Sequence, residues 1–167
     1  MEPVDGKPDP EPQPEAPEWS VNCDNEPFVP EDRELKRKDQ PHNVLRGRIN
    51  LRHARLSLQP APASEQSDLS GTLWYTQLAR HRLPGAQLFD HYIANPQLIP
   101  AAWRQIANGQ VIYILFLGTI FRSTMYANIR EVKGVRCLYL TEGHWQPSWF
   151  WLDRELSPTD YALVLEG

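Results

Sequence analysis

The hydrophobic pattern of the chain changes its period near residue 110. Before that point, leucine and aromatic residues recur at spacings of three and four, which is the period of an amphipathic helix. After it, β-branched and aromatic residues form short, dense runs separated by turn residues, and such runs are typical of strands. The pattern therefore predicts helices in the middle of the chain and a sheet built mainly from its C-terminal third.

Three helices are predicted in the middle of the chain, at residues 68–85, 86–96 and 99–109. The first spaces its leucines for one face and ends at a Pro-Gly pair, which does not continue a helix. The second carries one apolar stripe and stops at Pro96. The third has a proline in its first turn and a glycine at its end. Helices of this kind bury one face against another layer of structure.

The strands predicted downstream lie at 110–122, 135–140 and 144–152, with a tight turn at 141–143. The first strand is apolar on both faces, which places it in the middle of a sheet. Residues 161–167 fit either a strand or one helical turn. One or two further short strands are predicted upstream, within residues 48–58.

These elements predict the α+β fold class. We expect three or four antiparallel strands of the C-terminal half to join a strand from about 49–58 in a small sheet, with two or three helices packed on one face. Residues 1–20 contain six prolines and six acids against one lysine, so we expect a disordered tail there. Residues 21–167 are then a single domain, whose first part, 21–30, is an extended segment packed on the rest.

Composition and cysteine usage narrow the class of protein. The net charge of −4 argues against a chain dedicated to binding polyanions. Cys23 and Cys137 are too few for a disulfide scaffold and are not clustered like zinc ligands, so two reduced thiols are expected. The first 20 residues lack the apolar core of an export signal, and the longest apolar run, at 111–121, is too short to span a bilayer. We therefore expect a cytoplasmic protein that makes no membrane contact.

No arrangement of residues in the sequence indicates catalysis, metal binding or a cofactor. The five histidines show none of the spacings of zinc sites, and neither a nucleophile elbow nor a phosphate-binding glycine loop occurs. Cys137 lies within a predicted strand and is interpreted as a buried core thiol. We therefore predict no catalytic residue, no metal ligand and no cofactor. A small enzyme with an unrecognised site is kept as the weakest alternative.

Five short segments occur in a distinctive order: ANPQLIPAAW (94–103), GTIFR (118–122), VRCLY (135–139), GHW (143–145) and WLD (151–153). In that order they resemble a group of short, functionally unassigned bacterial proteins that share ANPxLIPxxW, GTI(F/Y)R, VRxLY and WLD segments. CDNEPFVP, at 23–30, is similar to a segment near the start of those proteins. The resemblance implies one domain over about 23–165 and implies no activity.

The stretch GHWQPSWFWLD is the first candidate for a binding surface. In an extended strand, Trp145, Trp149 and Trp151 point to one face and Phe150 points to the other. We interpret the Phe150 face as core beneath the helices. The three tryptophans are either covered by residues 21–35 or open to a protein partner, because exposed rows of aromatic rings mark contact sites. They are the predicted protein-binding residues.

A basic stretch is the second candidate. Residues 36–55 contain seven Lys or Arg against one acid, Asp39, and such clusters can contact nucleic-acid phosphates. The residues predicted for this contact are Arg46, Arg48, Arg52 and Arg55. Against this interpretation, no aromatic residue is interleaved with the charges, and the acidic tail can fold back over them.

Three further charged residues lie in or at the ends of predicted strands: Arg122, Arg136 and Asp153. They are either solvated, paired across the sheet, or available to a ligand, because an arginine fork suits a carboxylate of any origin. The function predicted first is non-enzymatic binding or regulation through protein–protein contact. The alternative is nucleic-acid binding through residues 36–55. The sequence leaves the oligomeric state open.

Overall fold

The structure is a computed structural model that describes residues 18–62, 71–125, 128 and 130–167. Most of the tail predicted at 1–20 lies outside the described residues, and so does the greater part of the loop between the predicted strand at 48–58 and the first helix. Within the described residues the fold is α+β, as predicted, and strands outnumber helices.

The strands of the described residues are β1 (Ser20–Asn22), β2 (Arg33–Glu34), β3 (Arg48–Asn50), β4 (Leu56–Pro60), β5 (Tyr113–Ser123), β6 (Lys133–Thr141), β7 (His144–Trp151) and β8 (Asp160–Leu165). The α-helices are α1 (Gly71–Gln77), α2 (Ala86–Ala94) and α3 (Ala102–Ala107). Each helix lies inside the range predicted for it and is shorter. The helix α3, for example, ends where Asn108 and Gly109 adopt positive φ.

Six strands form the main sheet, in the order β4-β8-β5-β6-β7, with β2 added beside β5. β5 pairs antiparallel with β6 and parallel with β8. The sheet is therefore larger than the small antiparallel sheet that was predicted. β1 and β3 form a separate two-stranded sheet, so the region at 48–58 contributes only β4 to the main sheet. The residues at 161–167, left open as strand or helical turn, supply β8.

Alternation along β5 gives the main sheet two apolar faces. On one face, Phe116 packs with Phe89 of α2 and Trp103 of α3. On the other face, Leu115 packs in a second cluster with Trp74 of α1. The prediction that the helices pack on one face is therefore wrong. Since both faces of the central strand are apolar, each face needs its own cover, and the helices divide between them.

A two-residue turn joins β6 to β7. Glu142 and Gly143 have φ angles of 50° and 77°, which is the geometry of a type I′ hairpin turn and confirms the predicted turn. Hydrogen-bonded pairs alternate from that turn, so Pro147, opposite Leu138, falls where a backbone N–H would point away from β6. β7 is an edge strand of the described sheet, and the proline removes one donor from that edge.

The middle of β5 touches the segment that leads into α2. The Gly118 N–H donates to the Pro84 carbonyl at 2.8 Å, and the Thr119 hydroxyl accepts from the Ala86 N–H at 2.8 Å. The register of β5 against β6 shifts in this stretch, which frees its backbone for both contacts. The first turn of α2 is thereby fixed to the sheet, and one of its unpaired N–H groups is satisfied.

Candidate functional site

Trp145 borders the core on the side of the sheet that α2 and α3 cover. Its ring packs edge-on against Trp103, with the ring centroids 6.4 Å apart. Phe150, which points the opposite way, is fully buried in the cluster that contains Trp74. The prediction that the Phe150 face is core is therefore confirmed, and the helix over that face is α1.

Trp149 and Trp151 are covered by arginine side chains. The Arg33 guanidinium lies 4.5 Å from the centroid of Trp149 and 5.0 Å from the centroid of Trp151. The Arg136 guanidinium lies 4.3 Å from the centroids of both Trp149 and Phe89. We call these five side chains the arginine–aromatic stack. Each cation in it meets the electron-rich faces of two rings, which is the arrangement of a cation–π contact.

Burial governs the electrostatics of the stack. Burial lowers the pKa of Arg136, and Asp90 on α2 opposes that shift. Burial also raises the pKa of Asp90, although the Phe28 N–H donates to its carboxylate at 3.2 Å. Arg33 pairs with Asp32 at 2.7 Å and has a side chain only 8% exposed, while its buried Nε has no hydrogen-bond partner among the described residues. The rings therefore supply much of the contact made by the two guanidinium groups.

Arg33, which contacts both Trp149 and Trp151, belongs to residues 23–40, which we call the arm. The strand β2 of the arm runs antiparallel beside β5 and so fixes Arg33 over the sheet. A protein partner that stacked on the ring faces contacted by Arg33 would have to displace that side chain. The structure thus places the tryptophans predicted for protein binding against side chains of the same chain.

Replacing Arg33 by Ala is expected to uncover Trp149 and Trp151 and to lower the free energy of unfolding by about 1 to 2 kcal/mol, as for a desolvated cation–π contact. Urea unfolding followed by tryptophan emission measures the stability, and acrylamide quenching of the folded protein measures the exposure. Arg33→Lys keeps the charge but not the planar group, so an intermediate loss is expected. An Ala variant with unchanged stability and quenching would show that the stack does not hold the arm.

A partly buried ion pair is the second anchor of the arm. The Asp39 side chain is 5% exposed and accepts hydrogen bonds from Arg122, from Nε at 2.7 Å and from Nη2 at 2.9 Å. Lys133 Nζ lies 3.3 Å from the same carboxylate. Glu131 accepts from the remaining Arg122 nitrogen, Nη1, at 2.7 Å. The hydrogen bonds from Arg122 are the largest cause that lowers the pKa of Asp39.

The charged residues of the predicted strands, Arg122, Arg136 and Asp153, have three different surroundings. Arg122 pairs with Asp39 of the arm, and Arg136 stacks between aromatic rings. Asp153 lies at the surface, 4.0 Å from Arg130. The three residues therefore do not form one Arg–Asp bridge across the sheet.

The side chain of Gln40 takes the place of a strand residue beside β5. Its amide nitrogen donates to the Ile120 carbonyl at 2.7 Å, and its amide oxygen accepts from the Ile120 N–H at 2.8 Å. A neighbouring backbone in a sheet would make the same two bonds. The arm is thus bound to β5 by strand pairing, by an ion pair and by a side-chain amide.

The four arginines predicted for nucleic-acid contact do not share one site. Arg46 is exposed, and Arg48 lines a cleft between the arm and α2. The Arg52 guanidinium rests 4.8 Å from the centroid of the Trp19 ring. Arg55 lines a different cleft. The continuous basic stretch of the sequence is therefore divided over the surface.

The cleft between the arm and α2 has a volume of about 430 Å³ and contains charges of both signs. Glu18, Glu26 and Asp90 line it together with Arg48 and His91. The His91 Nε2 already lies 2.7 Å from a backbone carbonyl of the chain. The carboxylates outnumber the basic side chains, so this cleft does not extend the positive charge of the basic stretch.

The second cleft, of about 400 Å³, gathers basic residues that are distant in the sequence. His53 and Arg55 follow β3, whereas Arg82 comes from the segment between α1 and α2. Two successive N–H groups at the end of β8 donate to the carbonyl oxygens of Arg82 and Arg55, at 3.0 and 2.8 Å. These two bonds fix the backbones of Arg82 and Arg55 on opposite sides of the end of β8.

We define the basic surface as Arg52, His53, Arg55 and Arg82. Within the part of the chain that the structure describes, none of its three arginines forms an ion pair. One carboxylate, Glu166, also lines the cleft. The contribution of Arg82 was missed in the sequence, because an isolated arginine after a helix gives no local signal of what packs beside it.

The described residues were also compared with the requirements of a metal site, a membrane-spanning helix and a reactive thiol. No three His, Cys, Asp or Glu side chains among them are grouped as metal ligands. No helix in this part of the chain is long and apolar enough to cross a membrane. Cys23 and Cys137 are buried free thiols, and burial raises their pKa to about 11 and about 12. Such thiols are poor nucleophiles at neutral pH, and Cys137 is a core residue as predicted.

Comparisons of the chain with protein-family models, with curated proteins and with solved structures found no match. The resemblance based on short sequence segments stays a prediction. The shape, charge and contacts of the surfaces described above are therefore the basis for a functional proposal.

Proposed function

We propose that the protein binds a partner protein through the basic surface, which recognises an acidic segment of that partner. The observation that carries this proposal is the convergence of Arg55, Arg82 and His53 on one cleft. Each guanidinium without an ion pair offers a planar set of N–H donors that matches a carboxylate. The protein would act by contact and would perform no chemistry on its partner.

The lining of the cleft favours an acidic peptide over a nucleic acid. Ile49, Ala54 and Leu165 place apolar surface between the charges, which aliphatic peptide side chains can cover. Binding of single-stranded nucleic acid relies on stacking against aromatic rings. Among the described residues that line this cleft none is Phe, Tyr or Trp, and the Trp19 ring, which borders the basic surface, already lies against the Arg52 guanidinium.

The proposal keeps only part of the basic stretch as a contact site. Arg52 and Arg55 belong to the basic surface, while Arg48 faces the carboxylates of the cleft between the arm and α2. Arg46 is exposed and lines neither cleft. We therefore expect Arg46 and Arg48 to contribute less to partner binding than Arg52, Arg55 and Arg82.

Replacing Arg52, Arg55 and Arg82 together by Ala is expected to weaken binding of an acidic peptide by about tenfold or more, since exposed ion pairs contribute about 0.2 to 1 kcal/mol each. The probe is a fluorescein-labelled peptide of about twelve residues rich in Glu, Asp and Leu, read by anisotropy. Binding by the unmodified chain is expected to weaken between about 0.1 and 0.5 M NaCl, because salt screens exposed charges.

A matched control separates the basic surface from net charge. Arg37→Ala, Lys38→Ala and Arg130→Ala remove the same charge from exposed positions outside the cleft, and this triple variant should bind the peptide nearly as well as the unmodified chain. An equal loss in both triple variants would refute a specific site. A single-stranded oligonucleotide that binds more tightly than the peptide, and loses that affinity in the first variant alone, would replace the peptide with nucleic acid as the ligand.

A further inference from the structure

We infer that the acidic segment at residues 1–17 is itself a ligand of the basic surface, and that it competes with the partner. This inference rests on the proposed function, because it assigns a second occupant to the same site. The occupant is a named segment of this chain. Its charge, its point of attachment and its reach all support this assignment.

The charges of the two parts are opposite. Residues 1–17 contain five Asp or Glu and one Lys. The basic surface presents three arginines that form no ion pair within the described residues. The chain as a whole carries a net charge of −4, so its positive potential is confined to local regions. An acidic segment held near such a region is attracted to it at moderate ionic strength.

The segment also begins within two residues of the basic surface. Glu18, the first described residue after it, borders the cleft between the arm and α2, and Trp19 reaches the basic surface. β1 runs antiparallel to β3, with Ser20 opposite Asn50, so the chain that precedes β1 passes the turn that follows β3. The Leu51 N–H donates to the Trp19 carbonyl at 2.8 Å. The Trp19 ring lies against the Arg52 guanidinium. The attachment point of the acidic segment is therefore already in contact with one member of the basic surface.

The segment is long enough to cover the cleft. At an extended rise of about 3.1 Å per residue, a segment of this length can reach roughly 50 Å. No folding of the segment is required for the contact.

Competition follows from tethering. A segment attached to the protein is present at its target at an effective concentration in the millimolar range, even when its intrinsic affinity is low. A partner then binds only the fraction of molecules whose basic surface is free, and its apparent affinity falls by that fraction. Neutralising the segment is therefore expected to strengthen partner binding without changing any residue of the cleft.

The first experiment locates the segment directly. A nitroxide label is attached through Gly6→Cys in the full chain, where the native thiols are buried and their pKa is raised, so they compete little for the reagent. Amide signals at 50–55 and at Arg82 should broaden at about 0.1 M NaCl, and the broadening should disappear at about 0.5 M NaCl. Broadening that is absent, or equally strong along the exposed edge of β7, would overturn the inference.

The second experiment measures the competition. Glu2→Gln, Asp5→Asn, Asp9→Asn, Glu11→Gln and Glu15→Gln are combined in the full chain, and the acidic peptide is titrated as above. Binding about tenfold tighter is expected, because the tethered competitor is lost. The control variant Glu142→Gln, Asp153→Asn, Glu155→Gln changes exposed carboxylates elsewhere and should leave the affinity close to that of the unmodified chain.

The outcomes distinguish this inference from the proposed function. Equal peptide affinity before and after neutralisation, with the loss in the Arg52, Arg55 and Arg82 variant preserved, would overturn the competition and leave the proposed function standing. If neither the unmodified chain nor the neutralised variant binds the peptide, and the label still broadens signals at the basic surface, the proposed function is overturned. Only the contact within the chain then remains. Equal gains in the neutralised and control variants would show a net-charge effect and overturn the competition.

Discussion

Replacing Asp39 by Asn is expected to lower the free energy of unfolding by about 2 kcal/mol, because it removes the negative charge from a partly buried ion pair and leaves a hydrogen bond from Arg122 unmade. Arg122 donates to both oxygens of the carboxylate, and Asn can accept only one of these two bonds. Lys133 loses its nearest carboxylate as well. Glu131 still pairs with Arg122, which limits the loss. Chemical denaturation at neutral pH measures it.

The same substitution should change how stability depends on pH. The pKa of Asp39 is lowered from its ordinary value of 3.8. Its contribution to stability is therefore present above pH 3.8 and is lost as the pH falls from there through the lower pKa of the folded state. The Asn variant lacks this contribution and should lose less stability over the same acidic interval. Asp153→Asn, at a side chain 63% exposed, should change neither the stability nor its pH dependence appreciably.

Replacing Gly118 by Ala is expected to destabilise the fold by about 3 kcal/mol, at the upper end of the cost of overpacking. An added Cβ would collide with the Leu83 carbonyl oxygen and would lie 2.7 Å from backbone atoms of Pro84 and Gly85. All of these are backbone atoms, so no side chain can rotate away. The two segments would have to separate, which breaks the hydrogen bond between Gly118 and Pro84. Thermal and urea unfolding measure the loss.

Gly47→Ala is the control for backbone strain. Gly47 has a φ of 79°, and a Cβ added there meets no atom within 4 Å. Its replacement should therefore cost only about 1 kcal/mol, the penalty for a left-handed conformation. Equal losses of unfolding free energy in the two variants would show that the close approach of residues 83–85 is not the reason why Gly118 excludes a Cβ.

Local patterns were sufficient for most of the elements. The strand that supplies most of β5, the turn at 141–143 and the positions of the three helices were all predicted, because period and turn chemistry act over a few residues. The parallel pairing of β5 with β8 was not predicted, since the partner lies far away in the sequence. Which face each helix covers was also missed, because an amphipathic stripe does not specify its partner.

The candidate sites show the same division between local and distant information. The alternation of β7 places Trp149 and Trp151 on one face, but it does not reveal that Arg33 covers them. Asp39 was noted in the sequence only as the single acid of a basic stretch, although it makes the partly buried ion pair of the arm. Arg82 joins the basic surface through backbone bonds with the end of β8. Each of these contacts links residues whose proximity is created by the sheet.

The arm has a consequence for how the chain acquires its structure during synthesis. Besides its bonds with Gly47 and α2, the arm contacts Arg122, Ile120 and the rings of β7, all of which leave the ribosome long after residues 23–40. These contacts with the sheet cannot form until most of the sheet has been synthesised. Full docking of the arm is therefore a late event in folding. Ribosome-bound chains that stop before β7 should accordingly expose the arm to proteases, whereas the released chain should protect it.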